Sequence, residues 1–233
     1  QLSMIKLFYK SYLYYNLFIH HKILRKRKTY SQFQEDLFIS NYFKNNFNGF
    51  YVDVGCYHPL KYSNTALIHN RGWKGLNIDI NQTSIDLFNI ARPNDLNICA
   101  ALSNTNEISE FYFDHKMSPV NTLNREFSEH CSKKISLNKF SKKKIQKFKF
   151  DKLIEQYNLN LPTIDFVNID VEAHDLEVLE GFNLLKYKPK LICIELYNSK
   201  LELIEETFSN YLTKLRYKLI KKIGPNGFFQ YND

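Results

Sequence analysis

The spacing of hydrophobic positions changes along the chain and marks out the elements. Phe50-Tyr51-Val52-Asp53-Val54 is a short β-type run that ends in Gly55. Stretches 74–80, 95–102, 163–170 and 190–196 also predict buried strands, and 110–114 predicts a further strand or an edge ribbon. Helical patterns lie between them: 61–71, a helix to about Ala91 behind Asn81 as cap, 151–157, and 175–185. Phe33, Leu37 and Phe38 give one apolar face to a helix opened by Ser31-Gln32-Phe33-Gln34, which has the spacing of a capping box. Ser199-Lys200-Leu201-Glu202 repeats that spacing ahead of Leu201, Ile204, Phe208, Tyr211 and Leu215 at helical intervals. Strands 216–223 and 227–231 flank Gly224-Pro225-Asn226-Gly227, a hairpin turn.

This alternation predicts an α/β fold: a mostly parallel, seven-stranded sheet with a reversed last strand and helices on both faces. Ligands of such sheets bind at the carboxyl ends of the strands, near the switch point. Two segments stand apart. Residues 1–30, aromatic and basic, predict an N-terminal arm: an amphipathic helix on the domain or on a second subunit, or one at a membrane surface. Residues 124–149 carry eight lysines and few branched apolar residues, and predict a solvated insertion or lid without a core of its own.

Charge sharpens this division. The chain of 233 residues has a net charge of +8, and seven basic residues with no acid fall in the arm. The body is near neutral, so there is no strong case for nucleic acid as a partner. The four cysteines form no CxxC pair and no zinc spacing, which favours reduced thiols and a cytoplasmic setting, with peripheral membrane contact through the arm left open. No run reaches the ~20 apolar residues of a membrane span.

The candidate chemistry sits at strand tips. Glycine is scarce, seven in all, and four of the seven fall between residues 49 and 75. Gly55, after Asp53, allows a sharp turn and close approach of a ligand to the backbone. Neither GxGxxG nor GxxxxGK[ST] is present, so the turn suits an amino-acid moiety better than a pyrophosphate. Asp79 ends the next strand, the ribose-binding position of nucleoside sites on this topology, against the alternative of a helix N-terminal charge. Asp170, Glu172 and His174 follow at two-residue steps from the end of strand 163–170. They can position a hydroxyl, take its proton or hold a divalent metal, or else Glu172 and Asp175 merely cap the next helix.

Together these segments resemble the FkbM family of methyltransferases. The resemblance runs through Ser31-Gln32-Phe33-Gln34-Glu35-Asp36, Tyr51-Val52-Asp53-Val54-Gly55, His58-Pro59, Tyr62-Ser63-Asn64-Thr65, Gly72-Trp73-Lys74-Gly75, Asn77-Ile78-Asp79, Arg92-Pro93, Ala101-Leu102-Ser103, Val120-Asn121-Thr122-Leu123 and Asp165 to Glu172. It departs from the family pattern at Gln34 and Ala173, where glycine is usual. It implies the class I methyltransferase Rossmann-like fold over 31–233 and transfer of a methyl group from S-adenosylmethionine to a hydroxyl. The implied cofactor contacts are Asp53, Gly55, Cys56, Tyr57, Asp79, Ile80, Ala101, Leu102 and Asp170. Asp36, His58 and Asn64 would face the acceptor, with Asp170, Glu172 or His174 as base. A divalent metal on Asp170 and Glu172 is the less favoured alternative. The expected acceptor is a sugar, glycan or related small molecule. Methylation of RNA or its cap, and a non-catalytic role for the fold, are the competing readings.

Overall fold

A computed structural model describes residues 2–46, 48–134 and 140–232. In chain order the elements are α1 (Leu2–Tyr14), continued by a π-helical turn (Tyr15–His20), α2 (Glu35–Tyr42), β1 (Phe50–Val54), α3 (Ala66–Asn70), β2 (Lys74–Asp79), α4 (Gln82–Ala91), β3 (Leu96–Cys99), β4 (Ala101–Leu102) and β5 (Ile108–Phe113). Then come α5 (Arg125–Lys134), β6 (Ser141–Phe148), α6 (Phe150–Gln156), β7 (Phe166–Ile169), α7 (Asp175–Gly181), α8 (Leu184–Tyr187), β8 (Leu191–Glu195), α9 (Glu205–Lys214), β9 (Tyr217–Ile223) and β10 (Asn226–Tyr231).

Seven strands form one sheet in the order β3-β2-β1-β7-β8-β10-β9. The sheet is mixed: β3, β2, β1, β7 and β8 are parallel, and β10 pairs antiparallel with both β8 and β9. Because both faces of its central strands are covered, they read as nearly continuous apolar runs. Val52, Val54, Ile169 and Ile194 bury into one core, while Tyr51, Phe166 and Cys193 bury into another with Trp73 and Phe228. That two-sided burial fixes the strand ends, where the polar residues gather.

The structure corrects several expectations. Run 95–102 is not one strand. Ala100 donates its N–H to the Asp79 carbonyl (3.0 Å), and the chain then leaves for a second sheet, ordered β4-β6-β5. The lysine-rich stretch is not bare insertion either. Phe127 and Cys131 of α5 are buried, and β6 pairs antiparallel with β5 over Ile108 to Phe113. The lysines of β6 mostly face solvent, so the strand is held by its ladder and has no apolar alternation to read.

Helix starts also move. The first shifts: α2 begins after Gln34, which sits at φ 71°, and Ser31 Oγ accepts the Asp36 N–H of its first turn (3.2 Å) while donating to Asp36 Oδ1 (2.8 Å). Segment 61–65 is irregular, with Tyr62 at φ 57°, so α3 starts only at Ala66. Helix 175–185 breaks after Gly181 into α7 and α8. Before α9, Asn198 Oδ1 rather than Ser199 accepts local N–H groups, from Lys200 (2.9 Å) and Glu202 (3.0 Å).

The N-terminal helix packs on the body. Leu13 and Leu17 bury against Leu87 of α4, and the Tyr9 hydroxyl donates to Asp86 Oδ2 at 2.7 Å. Its outer face exposes Met4, Ile5, Leu7 and Phe8. Among the described residues no helix is long and apolar enough to cross a membrane.

Candidate active site

Gly55 turns the chain off the end of β1 at φ 77°, and its N–H donates to the Ile78 carbonyl at 2.9 Å. The turn brings the Tyr57 N–H to Asp79 Oδ2 (2.8 Å), while Asn81 N–H donates to Asp79 Oδ1 (2.7 Å). Asp79 is thereby held at the tip of β2, and burial pushes its carboxyl up to about 6 against those two donors. It opens into a cleft of ≈ 530 Å³ with apolar walls from Ile80, Ala100 and Leu102, and with Asp170 and His174 beyond.

Asp53 lies directly in register with Asn77 on β2 and Asn168 on β7. Asn168 Nδ2 donates to its Oδ1 (2.9 Å) and Thr65 Oγ1 to its Oδ2 (2.7 Å). Behind Thr65, buried Arg92 donates to Thr65 Oγ1 (2.9 Å), the Tyr51 hydroxyl (2.8 Å) and the Pro59 carbonyl (2.9 Å). Burial raises the Asp53 carboxyl, and Thr65, Arg92 and Asn168 work against the rise. Asp53 is thus a rigid acidic edge of the second cleft, ≈ 850 Å³, which also takes in Cys56, Tyr57, Tyr62 and Asn64. A third cleft, ≈ 1280 Å³, adds Glu35, Glu195 and Tyr197. Asp170 and Glu172 line all three, so the clefts form one crevice across the strand ends.

The crevice is strongly acidic. Burial, with Asp53 and Glu35 nearby, pushes Asp170 up to about 6. Burial and Asp170 push Glu172, Asp175 and Glu195 well above the usual carboxylate range. No described lysine or arginine lines any of the three clefts. Glu172 and Ala173 stand at φ 58° and 67°, and their carbonyls are pinned by Thr122 Oγ1 (2.7 Å) and Asn124 Nδ2 (2.8 Å). This kink turns the Glu172 side chain into the crevice.

Most residues singled out from the sequence therefore meet here: Asp53, Gly55, Cys56, Tyr57, Asn64, Asp79, Ile80, Leu102, Asp170, Glu172 and His174. Three do not. Ala101 is fully buried on the far side of β4, and its neighbour Ala100 faces the cleft, as strand alternation requires. Asp36 is buried and accepts from Thr29 Oγ1 (2.6 Å) and Tyr30 N–H (2.6 Å), tying the arm to α2. His58 is buried beneath the arm: its Nε2 lies 2.7 Å from Asn16 Oδ1, and its Nδ1 accepts from Leu60 and Lys61 N–H (3.0 and 3.1 Å).

His174 lines only the first cleft. Its Nε2 is 3.0 Å from Ser103 Oγ, and burial lowers its pKa to about 4, so it is a neutral wall near Leu102. The carboxylates whose oxygens converge are Asp170, Asp175 and Glu195, and Glu172 is not among them. Arg92, Thr65, Asn168, Glu35 and Glu195 all shape the site without having been assigned a role in it. The one signal for Glu195 was a charge at the end of an otherwise apolar strand.

Residues 53–219 match the model of a family described as the methyltransferase FkbM domain. No curated protein matches the chain, and no solved structure does.

Proposed function

The chain belongs to the FkbM methyltransferase family, and from that premise we propose that it transfers a methyl group from S-adenosylmethionine to a hydroxyl of a sugar, glycan or related small molecule, on a class I methyltransferase Rossmann-like domain. The residues present fit the cofactor. Asp79, anchored through two backbone N–H groups, keeps free lone pairs for ribose hydroxyls, and Ile80, Ala100 and Leu102 offer an apolar slot for adenine. Gly55, Asp53 and Asp170 border the passage from that slot to the second cleft, where the amino-acid end would lie.

The cofactor supplies an electrophilic methyl on a sulfonium. The chain then has two tasks: to align the acceptor oxygen and to take its proton. Asp170 and Glu172 lie where all three clefts meet, and their raised basicity when ionised suits the second task. With the cofactor bound, the acceptor oxygen would take its methyl group as the bond to sulfur is given up, and Asp170 or Glu172 would receive the hydroxyl proton. Tyr57 and Tyr62, with ring planes 20° apart and centroids 6.3 Å apart, border the second cleft and suit the face of a sugar ring.

The observation that carries this reading is the acid-lined crevice, with no described lysine or arginine among its lining residues and Lys61 at its margin (Nζ 3.3 Å from the Tyr57 hydroxyl), joined to the Asp79 cleft. It favours a neutral or cationic acceptor. RNA would bring phosphates to a crevice whose described lining offers carboxyl groups and no lysine or arginine to pair with them, which disfavours binding. Intact residues at Asp53, Gly55, Asp79 and Asp170 favour catalysis over a non-catalytic role.

The test is calorimetric titration of S-adenosylhomocysteine into the wild type and Asp79→Ala, followed by acceptor screening with neutral, amino and phosphorylated sugars. Binding that is lost in Asp79→Ala, and methyl gain by a neutral or amino sugar in mass spectra, is the expected result. Methylation of only phosphorylated acceptors or RNA would overturn the acceptor class.

A further inference from the structure

We propose that Asp170, Asp175 and Glu195 form a site for one hard divalent cation beside the third cleft. Asp170 follows β7, Asp175 opens α7 and Glu195 ends β8, so three separate elements bring these carboxylates together. One oxygen from each lies within 4.8 Å of the others. Two oxygens on one Mg2+, Mn2+ or Ca2+ can stand no farther apart than twice the metal–oxygen bond, roughly 4–5 Å, so this spacing fits a single ion.

The second observation is an orphaned atom. Asp175 is 1% exposed; its Oδ1 accepts the Val171 N–H (3.1 Å), while buried Oδ2 has no hydrogen-bond partner. A buried carboxylate oxygen left without a donor is costly, and a cation is the partner that relieves it. No described cationic side chain does so here. The charged groups acting on Asp170 and Glu195 are all acids, namely Asp53, Glu35, Asp175, Glu172 and Asp170 itself. An all-carboxylate donor set without thiolate or imidazole selects Mg2+, Mn2+ or Ca2+ over zinc or copper. Asp170 and Glu195 also line the third cleft, so the bound ion has an entry path.

The experiment uses the full chain stripped with EDTA and titrated with Mn2+, with free Mn2+ read by electron paramagnetic resonance. The expected result is one saturable Mn2+ per chain, displaced by Mg2+ or Ca2+ and weakened about tenfold or more in Asp175→Asn and in Glu195→Gln. Mn2+ should raise the unfolding temperature of the wild type and leave that of both variants unchanged. S-adenosylhomocysteine binding is measured on the same samples as an independent sign of an intact fold. A chain that binds S-adenosylhomocysteine but shows no saturable Mn2+ binding overturns the metal site alone. Mn2+ binding undiminished in both variants overturns the ligand set.

Discussion

A methyl group placed on Gly55 would stand 1.8 Å from the carbonyl oxygen of Asp170. The end of β1 and the end of β7 therefore touch through backbone, and the crevice takes its shape from that contact. Gly55→Ala would meet both this clash and the cost of a side chain at φ 77°. We expect a loss of about 3–4 kcal/mol in urea unfolding. S-adenosylhomocysteine affinity should fall with it, because the clash displaces Asp170 toward the cleft. A variant as stable as the wild type would show that the turn is not rigid.

Arg92 supports the same region from behind. Its guanidinium holds Thr65, Tyr51 and the Pro59 carbonyl, and Thr65 in turn holds Asp53. Arg92→Ala leaves several buried acceptors without donors, and a destabilisation of about 3–5 kcal/mol is expected. Arg92→Lys keeps the charge but loses the fork that reaches these partners together, so it should recover only part of the stability. Full recovery in Arg92→Lys would mean that charge alone matters there.

The strand tips were legible because two-sided burial writes long apolar runs, and an acid or glycine at the end of such a run stands out. Asp53, Gly55, Asp79 and Asp170 were found that way. The partner of a buried polar residue was not legible. Asp36 and His58 carry the same kinds of side chain as Asp79 and His174, yet they serve the arm, and only the tertiary contacts with Tyr30 and Asn16 decide this. β6 was hidden for the opposite reason: its residues are polar, and its order comes from pairing with β5.

Gln34 and Ala173 show a subtler limit. Each stands where the family pattern carries glycine, and each adopts positive φ, 71° and 67°. The departure was readable, but the backbone conformation that explains it was not. Gln34→Gly and Ala173→Gly remove left-handed strain, at the expense of more freedom in the unfolded chain. The balance should favour each glycine by up to about 1 kcal/mol, seen as a raised midpoint in denaturant at unchanged slope. A lowered midpoint for both would show that the strain is relieved elsewhere.

The outer face of α1 exposes Phe8 to 68% beside Met4, Ile5 and Leu7, within an arm that bears seven basic residues and no acid. This combination fits an anionic bilayer surface, with apolar side chains in the interface and lysines at the headgroups. The full chain should sediment with phosphatidylserine-rich liposomes and lose much of that binding in 0.5 M salt, where screening acts within about 4 Å. Phe8→Asp should weaken it further without changing S-adenosylhomocysteine affinity. Equal sedimentation with neutral and anionic liposomes would remove the electrostatic part of this reading.

Asp79 ties cofactor binding to pH. Burial raises its folded-state pKa to about 6, above the ordinary aspartate value, so the free protein takes up a proton there as pH falls through that point. Ribose hydroxyls donate to the carboxylate and so favour its ionised form, which means binding competes with protonation. Affinity for S-adenosylhomocysteine should be level above pH 7 and fall by pH 5 about tenfold through Asp79, with Asp170, also raised to about 6 in the same cleft, adding to the fall. Asp79→Asn carries no titrating carboxyl; it should bind weakly and lose this particular step. Calorimetry at several pH values in buffers of different ionisation enthalpy would also count the proton released on binding near pH 6. A wild-type affinity that stays flat from pH 8 to pH 5 would mean that Asp79 does not meet the ribose as an anion.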